Sequence, residues 1–167
     1  MLNGSTNKLN VLILCTGNSA RSLIAEGLFK HLGGDRLNAY SAGSNPTGEP
    51  NPYALEVLEN NGIDTSLAKS KPWNQFAGKG AIQMDIVITV CANAAGEVCP
   101  VWPGKPLTVN WGVEDPAAVE ASHSKKQRHF LICFEQMKER ITAFVTGIES
   151  GEKPKELAIK VEQRFLD

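Results

Sequence analysis

Asn10-Val11-Leu12-Ile13-Leu14-Cys15-Thr16-Gly17-Asn18-Ser19-Ala20-Arg21-Ser22 is the most informative stretch of the chain. Asn10 to Leu14 is a short apolar run with β-branched members, which reads as a buried parallel strand. It leads into a loop in which a cysteine and an arginine are separated by five residues. From Leu23 to Leu32 the apolar residues recur at helical steps, Ile24, Leu28 and Leu32 with Ala25 and Phe29 beside them. A loop between a strand and a helix start can wrap a tetrahedral oxyanion. Backbone N–H groups turn inward, the helix start adds positive potential, and Arg21 can grip two oxygens at once. The candidate cradle is Thr16, Gly17, Asn18, Ser19, Ala20, Arg21 and Ser22, with Cys15 at its base. The field that holds an oxyanion also favours a thiolate, so Cys15 is expected to titrate below about 8.5, in the range of about 3.5–7.5. Gly17 permits a close backbone approach, and Asn18 tolerates a left-handed backbone while its amide ties the loop. Ser22 is read as a donor to the Cys15 sulfur or as a helix-start cap.

Outward from this loop, strands and helices alternate. Gly33 and Gly34 stop the first helix, and Leu37 to Ala42 reads as a strand ending at Gly43. Asn45 to Pro52 is rich in Pro and Gly, and Tyr53 to Asn61 looks helical, with Gly62 as its stop. Asp85 to Val90 is the clearest strand and Leu107 to Trp111 a weaker one. Lys125 to Val145 fits a long helix carrying Phe130, Phe134, Met137, Ile141 and Phe144 on one face. The alternation predicts an α/β domain with a parallel sheet, and ligands of such sheets bind at the carboxyl ends of the strands. The loops after Leu14, Val90 and Trp111 leave those ends. The 167 residues are expected to form one domain, with a core over 10–147 and an extension over 151–167. In that extension Leu157, Val161 and Phe165 suggest a short amphipathic helix packed on the domain.

Composition narrows the function. A net charge of −1 gives no electrostatic case for nucleic-acid binding. No apolar run approaches the roughly 18 residues of a membrane span. The polar stretch Met1 to Asn10 has no apolar signal segment, which predicts a cytoplasmic chain. In a reducing compartment four cysteines suggest catalytic or transient redox thiols rather than permanent disulfides. Cys133, inside the long helical pattern, reads as an inert core thiol. His31, His123 and His129 match no constellation and are read as surface or packing residues, and Lys125, Lys126 and Arg128 as a solvated face. No metal site and no cofactor is expected, and nothing points beyond a monomer. Cys91 and Cys99, with seven residues between them, are too far apart in sequence for the usual structural zinc pair.

The stretch Val11 to Ser22 resembles the phosphate loop of the low-molecular-weight protein tyrosine phosphatase fold, and more narrowly that of the arsenate reductases built on it. The resemblance covers Asn10 to Gly147, including Tyr40-Ser41-Ala42-Gly43, Cys91, Cys99 and Trp111-Gly112-Val113-Glu114-Asp115-Pro116. It implies a three-layer fold, a four-stranded parallel sheet flanked by helices. It also implies roles. Alone, Asp115-Pro116 is a turn starter; in the family, Asp115 is the general acid that protonates the departing oxygen. Phosphatases of this fold tend to carry tyrosines after the Asp-Pro, where this chain has Ala117 and Ala118, which suits a small inorganic substrate. Reducing arsenate needs two electrons, so thiols must end as a disulfide. The implied relay runs from Cys15, which attacks arsenic, to Cys91, which attacks the Cys15 sulfur, to Cys99, which attacks Cys91. A straight helix of eight residues rises about 12 Å, whereas bridged cysteines need Cα atoms within about 4.4–6.8 Å. The segment must therefore unwind for Cys91 and Cys99 to join, which Gly96 eases.

The partners implied are arsenate, with phosphate or sulfate as mimics, and thioredoxin or glutaredoxin with glutathione as the electron source. Some relatives hold potassium near the loop with residues matching Asn18, Glu26 and Ser41 plus an aspartate. This chain reads Lys69-Ser70-Lys71-Pro72-Trp73 there, so the Lys71 ammonium is expected to take the place of the ion and pair with Glu26. The alternative activity is that of a phosphotyrosine phosphatase, which uses Cys15, Arg21 and Asp115 but not Cys91. A third class, a non-catalytic oxyanion or redox sensor, leaves Asp115 without a purpose.

Overall fold

The computed structural model describes residues 8–91, 102–118 and 120–166. Strand β1 (Leu9–Cys15) leads through the loop into helix α1 (Arg21–Gly33), and β2 (Leu37–Gly43) into α2 (Pro52–Asn60). Then come β3 (Ile86–Thr89), β4 (Leu107–Asn110), the long helix α3 (His123–Glu149) and α4 (Pro154–Arg164). All strands are parallel, in the order β2-β1-β3-β4. The expected four-stranded parallel sheet flanked by helices is what forms.

Alternation along β1 explains the layering. Successive side chains of a strand point to opposite faces. Val11, Ile13 and Cys15 enter one core with Ile24, Leu28 and Phe29 of α1, Leu58 of α2, Phe134 and Ile141 of α3, and Val161 of α4. Leu12 and Leu14 face the other way, onto Val87, Phe76, Met84 and Trp102. With both faces covered, β1 reads as one continuous apolar run. Fully burying each such side chain contributes about 1.5–3 kcal/mol, so β1 is anchored on both faces, and the loop leaves from its end.

Asn51 caps α2, accepting a hydrogen bond from the Tyr53 N–H at 2.9 Å, with Pro52 in the first turn. Ser122 caps α3. In α4, Leu157, Ala158 and Val161 are buried, so the extension packs on the main core as its four-residue spacing suggests. Among the described residues no helix is long and apolar enough to cross a membrane.

Candidate active site

The loop between β1 and α1 is held from outside by its carbonyls. Thr16 O accepts from Asn45 N at 2.9 Å, and Gly17 O from Thr47 N at 3.1 Å and Ser70 Oγ at 3.0 Å. Ser19 O accepts from Asn51 N at 2.8 Å, and Ala20 O from Ile24 N at 2.9 Å. In a planar trans peptide the N–H of the next residue points opposite to each carbonyl. The N–H groups of Gly17, Asn18, Ala20 and Arg21 are thereby turned toward the inside of the loop, where an anion would sit. The Pro- and Gly-rich stretch from Asn45 to Pro52 reads as a connection in the sequence; it is the outer brace of the cradle.

Asn18 takes the left-handed turn, with φ 46°, and is fully buried. Its amide N–H₂ donates to Ser22 Oγ at 2.7 Å and Ser41 Oγ at 3.0 Å, and its oxygen accepts from Lys71 N at 2.8 Å. Ser22 thus serves as an acceptor for Asn18, and no side chain caps α1. Gly43, at the end of β2, lies against the loop: a Cβ there would overlap Thr16 O and crowd Cys15 O and Asn18 N. The glycine is required by close approach of main chain to main chain.

Below the loop, Ser41 donates to Glu26, whose other oxygen pairs with Lys30 at 2.7 Å. Lys71 Nζ lies 3.8 Å from Glu26 Oε1 and 3.4 Å from Ser41 Oγ, and donates to Lys69 O at 2.8 Å. The ammonium stands among Glu26 and Ser41, as expected from the sequence. Burial lowers the Lys71 pKa, against the pull of Glu26. A cation added there would meet the repulsion of the ammonium beside Glu26. Among the described residues no group of three His, Cys, Asp or Glu is placed to hold a metal.

Four of the residues singled out in the sequence meet at the loop. Cys15 is 5% exposed and Cys91 2% exposed. The Cys91 thiol is in hydrogen-bond contact with Cys15 and lies 3.7 Å from Thr16 Oγ1. Arg21, the first residue of α1, donates from Nη1 to Val113 O at 3.1 Å, and its Nη2 lies 3.6 Å from Asp115 Oδ2. Asp115 Oδ1 accepts from Ala117 N at 2.9 Å, the turn that an Asp-Pro pair starts. Arg21, Cys91 and Asp115 line one cavity of about 690 Å³ at the carboxyl ends of the strands. Cys99 lies outside the described residues.

One expectation is corrected. The Cys15 thiol is pushed up, by contact with the Cys91 thiol first and by burial second, against the pull of Arg21 and the Thr16 N–H. Two thiols side by side disfavour each other's ionisation, an effect that the sequence pattern does not reveal. Cys133 is pushed up to about 12, chiefly by burial, in keeping with a core thiol. His123 is a packing residue, with Nδ1 2.8 Å from the Tyr53 hydroxyl.

Residues 10–157 match the low molecular weight phosphotyrosine protein phosphatase family. The arsenate reductase of Halalkalibacterium halodurans is 38% identical over 138 residues, 83% of this chain and 96% of that one. The thioredoxin-dependent arsenate reductase of Corynebacterium glutamicum has a similar structure, with TM-score 0.65 and 28% identity over 89% of this chain and 65% of that one. An arsenate reductase in a phosphate-binding state gives TM-score 0.65 and 28% identity over 84% and 98%. The chain belongs to the low molecular weight phosphotyrosine protein phosphatase family and, within it, to the arsenate reductases.

Proposed function

We propose that the chain reduces arsenate to arsenite by a cysteine relay. Arsenate, a tetrahedral oxyanion like phosphate, binds in the loop from Thr16 to Ser22 with Arg21 across two oxygens. The Cys15 thiolate displaces one arsenate oxygen, which leaves as water after taking a proton from Asp115. The Cys91 thiolate then attacks the Cys15 sulfur. A Cys15–Cys91 disulfide forms, the sulfur–arsenic electron pair passes to arsenic, and arsenite leaves. Cys99 attacks Cys91, releases Cys15 as a thiolate, and presents a Cys91–Cys99 disulfide to thioredoxin or glutaredoxin, whose thiols supply the two electrons.

The observation that supports this reading is the second thiol near the first: a phosphatase needs Cys15 alone, and here Cys91 is buried close to it. The resting contact raises the Cys15 pKa, against the pull of Arg21 and the Thr16 N–H. Arsenite production from arsenate by the purified protein, run in parallel with thioredoxin and with glutaredoxin plus glutathione, tests it. Turnover with one system is expected and identifies the donor. No turnover with either, alongside phosphotyrosyl hydrolysis, assigns the chain to the phosphatases instead.

A further inference from the structure

The extension lies against the segment that carries Asp115. Strand β4 is at the edge of the sheet, and its outward Asn110 N–H is met by Glu162 Oε2 of α4 at 2.6 Å. The buried Trp111 indole, packed between Phe29 and Phe144, donates from Nε1 to Ala158 O of α4 at 3.1 Å. The third contact runs through Arg140 of α3. Its guanidinium lies 4.7 Å from the centre of the Phe165 ring, just past α4, and its Nη2 reaches Gly112 O at 3.4 Å. Asn110, Trp111 and Gly112 are thus each tied to α4 or to the residue that α4 holds. The next residue, Val113, accepts from Arg21, and two further on Asp115 faces the same guanidinium.

Arg140 is an unusual residue for a purely structural contact. It is 8% exposed, its Nε is buried without a hydrogen-bond partner, and among the described residues no carboxylate comes within ion-pair distance. A buried cation without a counter-ion is destabilising unless other groups hold it. It also lines the cavity shared by Arg21, Cys91, Asp115 and Phe165.

We propose that α4 forms a wall of the active site, with Arg140 as a positioning residue. Stacked on Phe165, it fixes the 110–115 segment so that Asp115 stays at the cavity it shares with Arg21 and Cys91, from which it protonates the departing oxygen. The proposal rests on Asp115 as the general acid described above. It adds that the extension, beyond packing, is needed for that proton transfer.

General-acid loss harms poor leaving groups most, a dependence that general instability does not produce. The test is hydrolysis of phenyl phosphate and p-nitrophenyl phosphate by Phe165→Ala and Arg140→Met, assayed well below each variant's Tm. Asp115→Asn serves as reference, and Lys160→Ala, on the exposed face of α4, as control. The expected result is a kcat loss of about 10-fold on phenyl phosphate and about 2-fold or less on p-nitrophenyl phosphate, with KM nearly unchanged. Asp115→Asn shows the same pattern more strongly, Lys160→Ala shows neither loss, and Phe165→Tyr, which keeps the ring, restores the rate. Equal losses on both substrates, or a fallen Tm with unchanged kcat, overturn the proposal and leave α4 a stabilising element only. Wild-type protein that shows the leaving-group pattern but reduces no arsenate contradicts the proposed function and leaves this inference standing.

Discussion

Cys15 illustrates how one neighbour reverses what a local pattern dictates. The loop and Arg21 favour a thiolate, while Cys91 and burial favour the thiol. The Cys91 contribution is the largest, so Cys91→Ala is expected to move the pH midpoint of Cys15 alkylation downward. The sign follows because removing a group that raises a pKa lets the thiolate form at lower pH. Iodoacetamide labelling across pH, mapped to Cys15 by mass spectrometry, checks this; an upward or absent shift contradicts it. Asn18 is the opposite case. Its left-handed backbone and tying amide are both legible in the sequence, because a short polar side chain is one of the few that meets both demands.

Among elements, periodicity located the segments and missed their polar ends. Helix α1 begins at Arg21 rather than Leu23 because Arg21 and Ser22 carry no apolar signal. Helix α3 runs from His123 to Glu149, beyond the apolar stripe from Lys125 to Val145, for the same reason. The bracing of the loop by Asn45, Thr47, Asn51 and Ser70 has no sequence signature, since it joins three main-chain N–H groups and one hydroxyl to loop carbonyls far away in the chain. Arg140 was equally hidden: a charged residue in an amphipathic helix is ordinarily solvated, and here Phe165 and Gly112, both remote in sequence, meet its guanidinium. Gly43 did show as a strand end, without its reason. Gly43→Ala puts a Cβ into Thr16 O, and overpacking of this kind costs about 1–3 kcal/mol. Denaturant unfolding should show that loss, and phosphate affinity should fall with it as the loop is displaced. A fully stable variant with unchanged phosphate affinity contradicts the close approach.

At the scale of the whole molecule, the parallel sheet brings the ends of β1, β3 and β4 together, so that Arg21, Cys91 and Asp115, far apart in the chain, share one cavity. A fixed cation completes the support beneath the loop. With Lys71 in place among Glu26 and Ser41, Tm in potassium salts should match Tm in choline salts within about 1 °C, and Lys71→Ala should make the protein gain stability from potassium. A wild-type Tm that rises with potassium contradicts the substitution of ammonium for ion. The relay itself is tested most directly without any recycling partner. Fully reduced protein is given excess arsenate, and arsenite and disulfides are counted per chain. The expected result is one arsenite and one disulfide containing Cys91, with neither formed by Cys91→Ser. Arsenite formed equally by Cys91→Ser, or wild-type protein left with all thiols free, would contradict the relay.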